Sequence, residues 1–333
     1  MEKKIDFVIT WVDDNDEKWI SKKNSYQKMD INQKINTESR YRDYDTLRFW
    51  FRAVEKYAPW VNSVFLITDN QIPKWINTNN SKLKLVNHSD YIEQKYLPTF
   101  NSNVIELNIG NIDELSENFV LFNDDTFLND FVAPNYFFKN GTIPKDLYAE
   151  SPIISTKGSV AHAMVNDIEI INDKFNKFEF YKNNFGKVFN IRNRMKLLRT
   201  IALLPNRNFS GIWNSHLPVS YNKSTFKEVW DAYDEELRKT LSNKFRTPYD
   251  YNQWLMRYWQ LVSGNYSVRG AESGKVYDLG KVEMKSIKDE IINRRHKMIC
   301  LNDTDNVTNA HMIKKMLLKT YTECFPEKSS FEI

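Results

Sequence analysis

The sequence predicts an α/β protein with a mostly parallel sheet in its first half and a largely helical second half. In residues 1–130, short apolar runs rich in Val, Ile, Leu and Phe alternate with helical periodicity, which is typical of parallel strands buried on both faces. After residue 131, the longest periodic segments have helical spacing. We therefore predict a single domain, 1–333, with a sheet half (1–130) and a helical half (131–333) that contributes one late core strand near 297–303.

The strands expected in the first half are residues 4–12, 61–68, 83–86 and 119–122. Between the first two, a polar stretch at 21–39 is expected to form a surface excursion or mobile loop. Leu47, Phe51 and Val54 then recur at helical spacing until Pro59 ends the run. Strands joined by helical crossovers form right-handed parallel units, so these four strands are predicted to share one parallel sheet.

The second half predicts helices at three places. Thr225 and Glu228 have the spacing of a capping box for a helix that runs to about residue 241. A second helix, rich in Trp and Tyr, is expected at 249–262, and a basic amphipathic helix from Thr308 onward. We expect this last helix to dock on the body of the protein, with contact to a membrane surface as the alternative.

The bulk composition indicates a folded globular protein. The 333 residues are 41% hydrophobic and 14% aromatic, which is ample for a core. The formal charge of +4 is small and its basic residues are dispersed, so nucleic acid binding is not indicated. No apolar run reaches the ~18 residues of a membrane helix, no signal peptide is evident, and the two cysteines lack metal or redox spacing. We expect a reduced, cytoplasmic protein.

Polar residues follow all four predicted strands of the first half. The strands end in Asp13, in Asp69, near His88 and in the pair Asp124-Asp125. Each alone is typical of a turn, in which Asp accepts hydrogen bonds from its own backbone. Ligands of parallel sheets bind outside the carboxyl ends of the strands, so four such ends together favour a binding site.

Two strand ends far apart in the sequence share one pattern. Asn123-Asp124-Asp125 and Asn302-Asp303 each follow an apolar run directly. Carboxylate and amide oxygens suit Mg²⁺ or Mn²⁺, whose shell substrate phosphates can complete. Asp124, Asp125, Asn302 and Asp303 are therefore the predicted metal ligands, and two independent turns remain the alternative.

Arginine and histidine supply the other candidate chemistry. Arg40 and Arg42 precede the first helix, and Arg246 lies between two later helices. A guanidinium matches two phosphate oxygens at once, although charged helix starts are also often merely solvated. His216, in the aromatic loop NFSGIWNSHLPVS, is a candidate base for a hydroxyl nucleophile. A structural role for this histidine is the alternative.

Four blocks of the sequence resemble the Stealth phosphotransferases, which include bacterial capsular polysaccharide phosphotransferases and the GlcNAc-phosphotransferase that tags lysosomal enzymes. The blocks are IDFVITWVDDNDEKW from residue 5, RYRDYDTLRFWFRAVEKYAPWV through FVLFNDDTFL from residue 40, NSHLP at 214–218 through Arg246 to Trp259, and KMICLND from residue 297. They occur in the family's order and span nearly the whole chain. The family usually has Gly in place of Asp14 and Pro in place of Glu17, which leaves the turn after Asp13 open.

The resemblance implies a Rossmann-like core related to nucleotide-sugar transferases, with residues 1–130 as the Rossmann-like half. It implies transfer of hexose-1-phosphate or N-acetylhexosamine-1-phosphate from a UDP-sugar to a hydroxyl of an oligosaccharide or polysaccharide, with release of UMP. It also implies residue roles: His216 as base, Arg42 and Arg246 on phosphate, Mg²⁺ or Mn²⁺ on the four predicted ligands, and donor contacts at the remaining positions, which are Trp11, Asp13, Arg40 and Asp43.

Two other functions remain open from the sequence. A metal-dependent glycosyltransferase would share the fold and the acidic cluster, but it would release UDP. A non-catalytic sugar-binding subunit would use the aromatic residues and need neither metal nor His216. For the enzyme, we expect capsule or cell-wall polymer biosynthesis in the cytoplasm, with peripheral association at the inner face of the membrane.

Overall fold

The computed structural model describes residues 3–29, 35–157 and 159–333. In these ranges the strands are β1 Ile5–Thr10, β2 Val64–Thr68, β3 Leu83–Asn87, β4 Asn118–Phe122, β5 Thr126–Leu128, β6 Phe138–Lys139, β7 Ile143–Asp146, β8 Val219–Asn222, β9 Ser267–Val268, β10 Gly274–Asp278 and β11 Met298–Asn302. The α-helices are α1 Glu17–Tyr26, α2 Leu47–Tyr57, α3 Ser102–Leu107, α4 Pro134–Phe137, α5 Ala161–Lys174, α6 Lys177–Asn183, α7 Phe185–Val188, α8 Lys196–Ala202, α9 Lys223–Leu241, α10 Gln253–Val262, α11 Met284–Asn293 and α12 Ala310–Cys324. None of the described helices is both long and apolar enough to cross a membrane.

The central sheet has five strands in the order β3-β2-β1-β4-β8. The first four run parallel, as predicted, and β8 from the second half joins the edge antiparallel to β4. The chain moves outward from β1 to β3 and then returns to β4 on the other side of β1. This reversal opens a crevice at the carboxyl ends of β1 and β4, which is the usual ligand site of such sheets.

The sheet is buried on both faces because consecutive side chains of its inner strands enter two different cores. Phe7 of β1 packs with α2 in one core, and the next residue, Val8, belongs to the core formed with α9 and α10. In β4, Phe122 likewise faces the first core and Leu121 the second. Apolar residues at every position of these strands are therefore explained by helices on both faces.

A second sheet, β10-β11-β5, determines how the late strand meets the first half. β11 is parallel to β10 and antiparallel to β5, so the predicted core strand near 297–303 lies outside the central sheet. The chain passes from β4 to β5 through a turn in which the Thr126 N–H donates to the Asn123 carbonyl. Because β5 and β11 run in opposite directions, the start of β5 meets the end of β11, and the Leu301 N–H donates to the Asp125 carbonyl at 2.8 Å.

The prediction of a loop at 21–39 is wrong for the first residues of this range, because α1 continues to Tyr26. A carboxylate oxygen of Asp16 accepts from the backbone N–H groups of Lys18 and Trp19, which caps the helix. Trp19 is buried against Tyr41 and Phe100, and Tyr26 at the end of α1 also contacts Phe100, so aromatic contacts hold this largely polar helix. Residues 30–34 of the expected loop lie outside the described residues.

The capping box expected at Thr225 and Glu228 is also wrong. α9 begins earlier, at Lys223, so both residues lie inside the helix. Glu228 instead accepts a hydrogen bond from Trp259 Nε1. The docking of the last helix on the body is confirmed, since α12 buries Ile313, Leu317 and Tyr321.

Residues 131–204, which show little periodicity, contain helices α5 to α8 and a buried ion pair beneath them. Lys177 Nζ lies 2.9 Å from Glu150, and both side chains are fully buried. The Tyr181 hydroxyl and the Ser210 backbone N–H also donate to this carboxylate. The pair therefore holds α6 against the segments that lead into and out of the helical region.

We predict that Lys177→Met lowers the free energy of unfolding by about 3–5 kcal/mol, because it leaves the Glu150 carboxylate buried without its counter-charge. Lys182→Met, an exposed lysine of the same helix, is the matched control and is expected to change stability by less than about 0.5 kcal/mol. Chemical denaturation of both variants measures the difference. Equal stabilities of the two variants would contradict the importance of the buried pair.

Candidate active site

A cavity of about 420 Å³ lies at the carboxyl ends of β1 and β4. It collects side chains from the ends of the central strands, from the turn before β5, from the end of β11 and from the loop before β8. All the predicted site residues except Asp13 line it, namely Trp11, Arg40, Arg42, Asp43, Asp124, Asp125, His216, Arg246, Asn302 and Asp303.

The ends of β2 and β3 also reach this cavity, through Asp69 and His88. Asp69 forms an ion pair with Lys22 of α1. Burial lowers the pKa of His88 to about 4, so this imidazole is neutral at physiological pH. Of the four strand ends expected to gather polar side chains, those at Asp69, His88 and Asp124-Asp125 therefore meet in the cavity.

Asp13 has a different environment from the other predicted residues. Its carboxylate accepts from the Asn15 backbone N–H at 2.9 Å, and its own backbone N–H donates to the Gln71 amide oxygen. Asp13 therefore shapes the turn that follows β1, as the turn alternative predicts. The structure does not place its side chain among those that line the cavity.

Trp11 and Asp43 form a hydrogen-bonded pair in the cavity wall. Trp11 Nε1 donates to Asp43 Oδ2 at 3.0 Å, and the Asp45 backbone N–H donates to the other oxygen at 2.7 Å. Burial raises the pKa of Asp43 to about 6, against the lowering effect of the indole hydrogen bond. These bonds fix the indole plane at the edge of the crevice.

Asp125 is the acidic centre of the cavity. Its Oδ2 accepts a hydrogen bond from the Cys300 thiol, with sulfur and oxygen 3.3 Å apart, and lies 3.5 Å from His216 Nε2. Its Oδ1 is buried and has no hydrogen-bond partner among the described residues. A buried carboxylate oxygen without a partner is costly, and it is the kind of donor that a hard cation binds.

Asp124 lies beside Asp125 and faces the same space. Enclosure by the cavity walls, and then the negative charges of Asp125 and Asp43, raise the pKa of Asp124 above its ordinary range. The side chain remains accessible to water, because the cavity that crowds it is open to solvent. A cation between the two carboxylates would relieve their repulsion.

Asn302 and Asp303 reach the cavity, but their side chains are engaged elsewhere. Asp303 Oδ2 pairs with Arg42 Nη1 at 2.8 Å, and Oδ1 accepts from the Thr304 backbone N–H. The Asn302 amide donates to Asp278 Oδ1 at 2.8 Å. The structure therefore brings the four predicted metal ligands to one cavity, with both oxygens of Asp303 already occupied.

Within the described ranges, one group of three His, Cys, Asp or Glu side chains has its donor atoms within 4.8 Å of one another: Asp125, His216 and Cys300. Burial, and then the charge of Asp125, raise the pKa of the Cys300 thiol well above its ordinary value. Cys300 therefore stays protonated as a donor to Asp125. Oxygen donors are available to a cation mainly from Asp125 and Asp124.

The loop that carries His216 is held by a buried ion pair. Arg257 of α10 binds both oxygens of Asp146 at 2.7 and 2.9 Å, and its Nη1 donates to the Asn214 side-chain oxygen at 2.7 Å. The Asn214 amide in turn donates to the Tyr258 hydroxyl. His216 has a φ of 50°, a left-handed conformation that is unfavourable for most side chains and is often found at functional sites.

Two arginines form the basic wall of the cavity. Arg246 donates to the Ser102 hydroxyl at 2.5 Å. Burial, and then the like charge of Arg246, lower the pKa of Arg40, and within the described part of the chain its guanidinium has no hydrogen bond. Two neighbouring cations, one of them unpaired, are suited to bind a polyanion such as a diphosphate.

Sequence reasoning missed the contribution of helices α3 and α10 to the cavity. Asp250 accepts from the side-chain amides of Asn101 and Asn103 at 2.8 and 3.1 Å, which joins the start of α3 to the segment before α10. Because these polar residues have no apolar periodicity, the only signal available was the cluster of amides itself. The missed lining residues include Ser102, Asn103, Glu106, Asn252 and Trp254.

The stability of the fold is expected to depend on the titration of Glu106. Burial raises the pKa of Glu106 from 4.5 to about 7, although the Arg246 charge opposes this. The folded protein binds a proton at Glu106 more tightly than the unfolded chain does, so protonation of Glu106 stabilises the fold. This stabilisation is complete below about pH 4.5 and is lost as the pH rises through about 7. Glu106→Gln, neutral throughout, is therefore expected to melt at a higher temperature than the parent at pH 8 and at a similar temperature at pH 4.

The difference at pH 8 is at most on the order of 3 kcal/mol. Calorimetric melting at both pH values measures it. Glu235→Gln, at an exposed position of α9, is the control and should show no such pH dependence. An effect of Glu106→Gln that is equal at pH 4 and pH 8 would contradict the raised pKa.

Comparison with known proteins identifies four conserved regions in this chain. They are described as Stealth protein conserved regions 1, 2, 3 and 4, and they match residues 3–29, 40–146, 215–262 and 289–333. All the predicted catalytic and metal-binding positions lie in these regions. The four blocks noticed in the sequence are therefore confirmed.

Full-length relatives are similar over almost the whole chain. The capsular polysaccharide phosphotransferase WcwK of Streptococcus pneumoniae is 45% identical over 98% of both chains. The exopolysaccharide phosphotransferase cps2G of Lactiplantibacillus plantarum is 41% identical over 98% of this chain and 96% of its own. The receptor polysaccharide phosphotransferase WefC of Streptococcus gordonii is 39% identical over the full length of both.

Among solved structures, the galactosyltransferase LgtC in complex with donor and acceptor sugar analogues matches with a TM-score of 0.40 and 8% identity, over 94% of this chain and 95% of its own. So distant a match carries no functional argument. The conserved regions and the full-length relatives, in contrast, show the family. The chain belongs to the Stealth family.

Proposed function

We propose that the protein is a capsular or exopolysaccharide phosphotransferase that moves a sugar-1-phosphate from a UDP-sugar to a hydroxyl of a saccharide acceptor. One observation carries the proposal: a single cavity holds an arginine pair on one wall and a histidine beside a carboxylate on another. The names of the full-length relatives support the same reaction class. We assign the reaction to the cytoplasmic side, at the inner face of the membrane.

In the proposed reaction an acceptor oxygen attacks the β-phosphorus of the donor. The new bond joins that oxygen to phosphorus, and the bond from phosphorus to the oxygen that bridges the two phosphates breaks. UMP leaves with the electron pair, and the sugar keeps its bond to the transferred phosphate. The product is a phosphodiester.

Arg40 and Arg246 are suited to hold the diphosphate. Their guanidiniums repel each other in the free protein, since the charge of Arg246 lowers the pKa of Arg40. A diphosphate between them removes this repulsion and gains charge-assisted hydrogen bonds. The same groups stabilise the negative charge that develops on UMP as the bond breaks.

His216 is positioned to accept the proton of the attacking hydroxyl. Its Nε2 lies 3.5 Å from Asp125 Oδ2, so the imidazolium that forms stays close to a negative charge. Asn214, which Arg257 fixes through a hydrogen bond, anchors the loop on one side. This arrangement holds the loop, and among the described residues the ring itself contacts the Asp125 carboxylate.

Asp125 and Asp124 would hold Mg²⁺ or Mn²⁺ in this proposal. The unpartnered Oδ1 of Asp125 and the crowded carboxylate of Asp124 fit such an ion, and donor phosphates complete its usual shell. When bound, the ion would neutralise charge on the phosphates. Asp303 is paired with Arg42, and because a hydrogen-bonded carboxylate can still bind a metal, we assign it both the placement of Arg42 and a place beside the ion.

The reaction class is tested by the nucleotide product. With a UDP-sugar and an oligosaccharide acceptor, we expect UMP as the nucleotide product on chromatography and a phosphodiester signal in phosphorus NMR of the saccharide. Cleavage occurs between the two phosphates, so the anomeric bond is untouched. UDP as the only nucleotide product, without a phosphodiester, would instead establish a glycosyltransferase.

The role of His216 is tested best with asparagine, because asparagine tolerates the left-handed φ that this position requires. His216→Asn is expected to lower kcat by about 10²–10⁴-fold with little change in the KM for the donor. His311→Asn, at an exposed position, is the control. A variant that loses donor binding or melts much earlier would show that His216 is structural.

The metal is tested by chelation and by Asp125→Asn. We expect activity to be lost in excess chelator and restored by Mg²⁺ or Mn²⁺. Asp125→Asn removes the charge that holds the ion and should cripple turnover, with a melting temperature equal to or above that of the parent, because the repulsion between Asp125 and Asp124 is removed. Asp113→Asn, at an exposed position, is the control. Full activity in excess chelator would contradict the metal assignment.

A further inference from the structure

Large apolar side chains project into solvent from α7, α8 and the turn between them. Ile191 is 86% exposed, Met195 76%, Phe185 67% and Leu198 58%. An ordinary surface helix buries its apolar side chains, but the only residue that α8 buries is the polar Thr200. Exposed apolar clusters of this kind mark interaction sites. We name residues 182–207 the α7–α8 face.

The stretch of sequence that contains this face carries basic residues and no acidic ones. No Asp or Glu occurs from residue 180 to residue 227. Seven basic residues lie among and beside the exposed apolar side chains in the sequence, and they are Lys182, Lys187, Arg192, Arg194, Lys196, Arg199 and Arg207. Among the described residues, one of the seven has a carboxylate partner: Arg194, which pairs with Glu272 at the surface.

Bulky apolar side chains among basic ones are typical of surfaces that lie in the interface of an anionic bilayer. The apolar groups enter the boundary between headgroups and acyl chains, and each lysine or arginine near the surface adds electrostatic attraction to anionic headgroups. Charge complementarity thus favours anionic lipid headgroups as the partner of this face. A second copy of the chain would bring two basic surfaces together and is disfavoured.

The α7–α8 face adjoins the candidate active site. Lys196 Nζ lies 4.1 Å from the centre of the Trp213 ring, and Trp213 precedes Asn214 and His216 of the cavity wall. On the other side, Arg199 donates to the Ser151 hydroxyl, at the start of the segment that leads to cavity residues 159 and 160. A bilayer against this face would therefore lie next to the wall that carries the proposed base.

We propose that the α7–α8 face binds the surface of an anionic lipid bilayer and holds the His216 side of the cavity close to it. This placement would give an acceptor held at the membrane access to the cavity, and that consequence rests on the proposed function. The binding itself does not, because it depends only on the apolar and basic residues of this face.

Vesicle flotation tests this binding without donor or acceptor. The parent protein is expected to bind vesicles that contain phosphatidylglycerol, to release them at high salt, and to bind phosphatidylcholine vesicles much more weakly. The triple variant Ile191→Ser, Met195→Ser, Leu198→Ser should reduce binding at least tenfold. Its matched control is Ile72→Ser, Ile292→Ser, Met312→Ser, at exposed apolar positions elsewhere, and it should bind as the parent does.

A second variant, Lys182→Gln, Arg192→Gln, Arg207→Gln, keeps the apolar groups and is expected to lower both the binding and its salt dependence. This glutamine variant provides the test of binding if the serine variant unfolds at a lower temperature than the parent. Release of nucleotide from a donor with a soluble acceptor is measured in parallel and should be unchanged in both variants, so failure of the binding and failure of the proposed reaction are separable. The proposal is overturned if the parent does not bind phosphatidylglycerol vesicles, if both variants bind as the parent does, or if the face instead mediates dimerisation.

Discussion

The antiparallel pairing of β5 with β11 is the constraint on which the candidate site depends. It aligns Cys300 with Thr126 and directs the Leu301 N–H to the Asp125 carbonyl. Two chain segments separated by about 175 positions in sequence therefore end at the same point. The Cys300 thiol reaches the Asp125 carboxylate, and Asp303 reaches Arg42, only because this register is kept. A shift of one residue would turn these side chains to the opposite face of the sheet.

Buried ion pairs then fix the loops that the sheets cannot hold. Arg257 and Asp146 are almost fully buried, and through Asn214 they anchor the loop that places His216 opposite Asp125. Removal of either charge would leave the other uncompensated in the interior. The cavity thus has one wall set by strand pairing and another set by a polar network. This division explains how the backbone of His216 can be held in a left-handed conformation while its imidazole stays available to act as a base.

Local periodicity was sufficient to predict the parallel central sheet, because β1, β2 and β4 are apolar at nearly every position and a polar residue follows within three positions of each strand end. It also identified the side chains that meet in the cavity, since carboxylates at strand ends require a turn or a ligand. It did not show that 297–303 joins a different sheet, since strand partners depend on long-range pairing. Nor did it show the Arg42–Asp303 pair or the anchoring of α1 by Trp19, each of which depends on contacts between distant segments.

The most direct test of donor binding by Arg40 and Arg246 is a crystal structure with a donor analogue. In the analogue, carbon replaces the oxygen that bridges the two phosphates, so the bond that should break is stable. We expect the diphosphate within hydrogen-bonding distance of Arg40 and Arg246 at the carboxyl ends of β1 and β4, with the β-phosphorus facing His216 Nε2. A diphosphate bound away from these guanidiniums, or a donor whose anomeric carbon faces His216, would contradict this expectation.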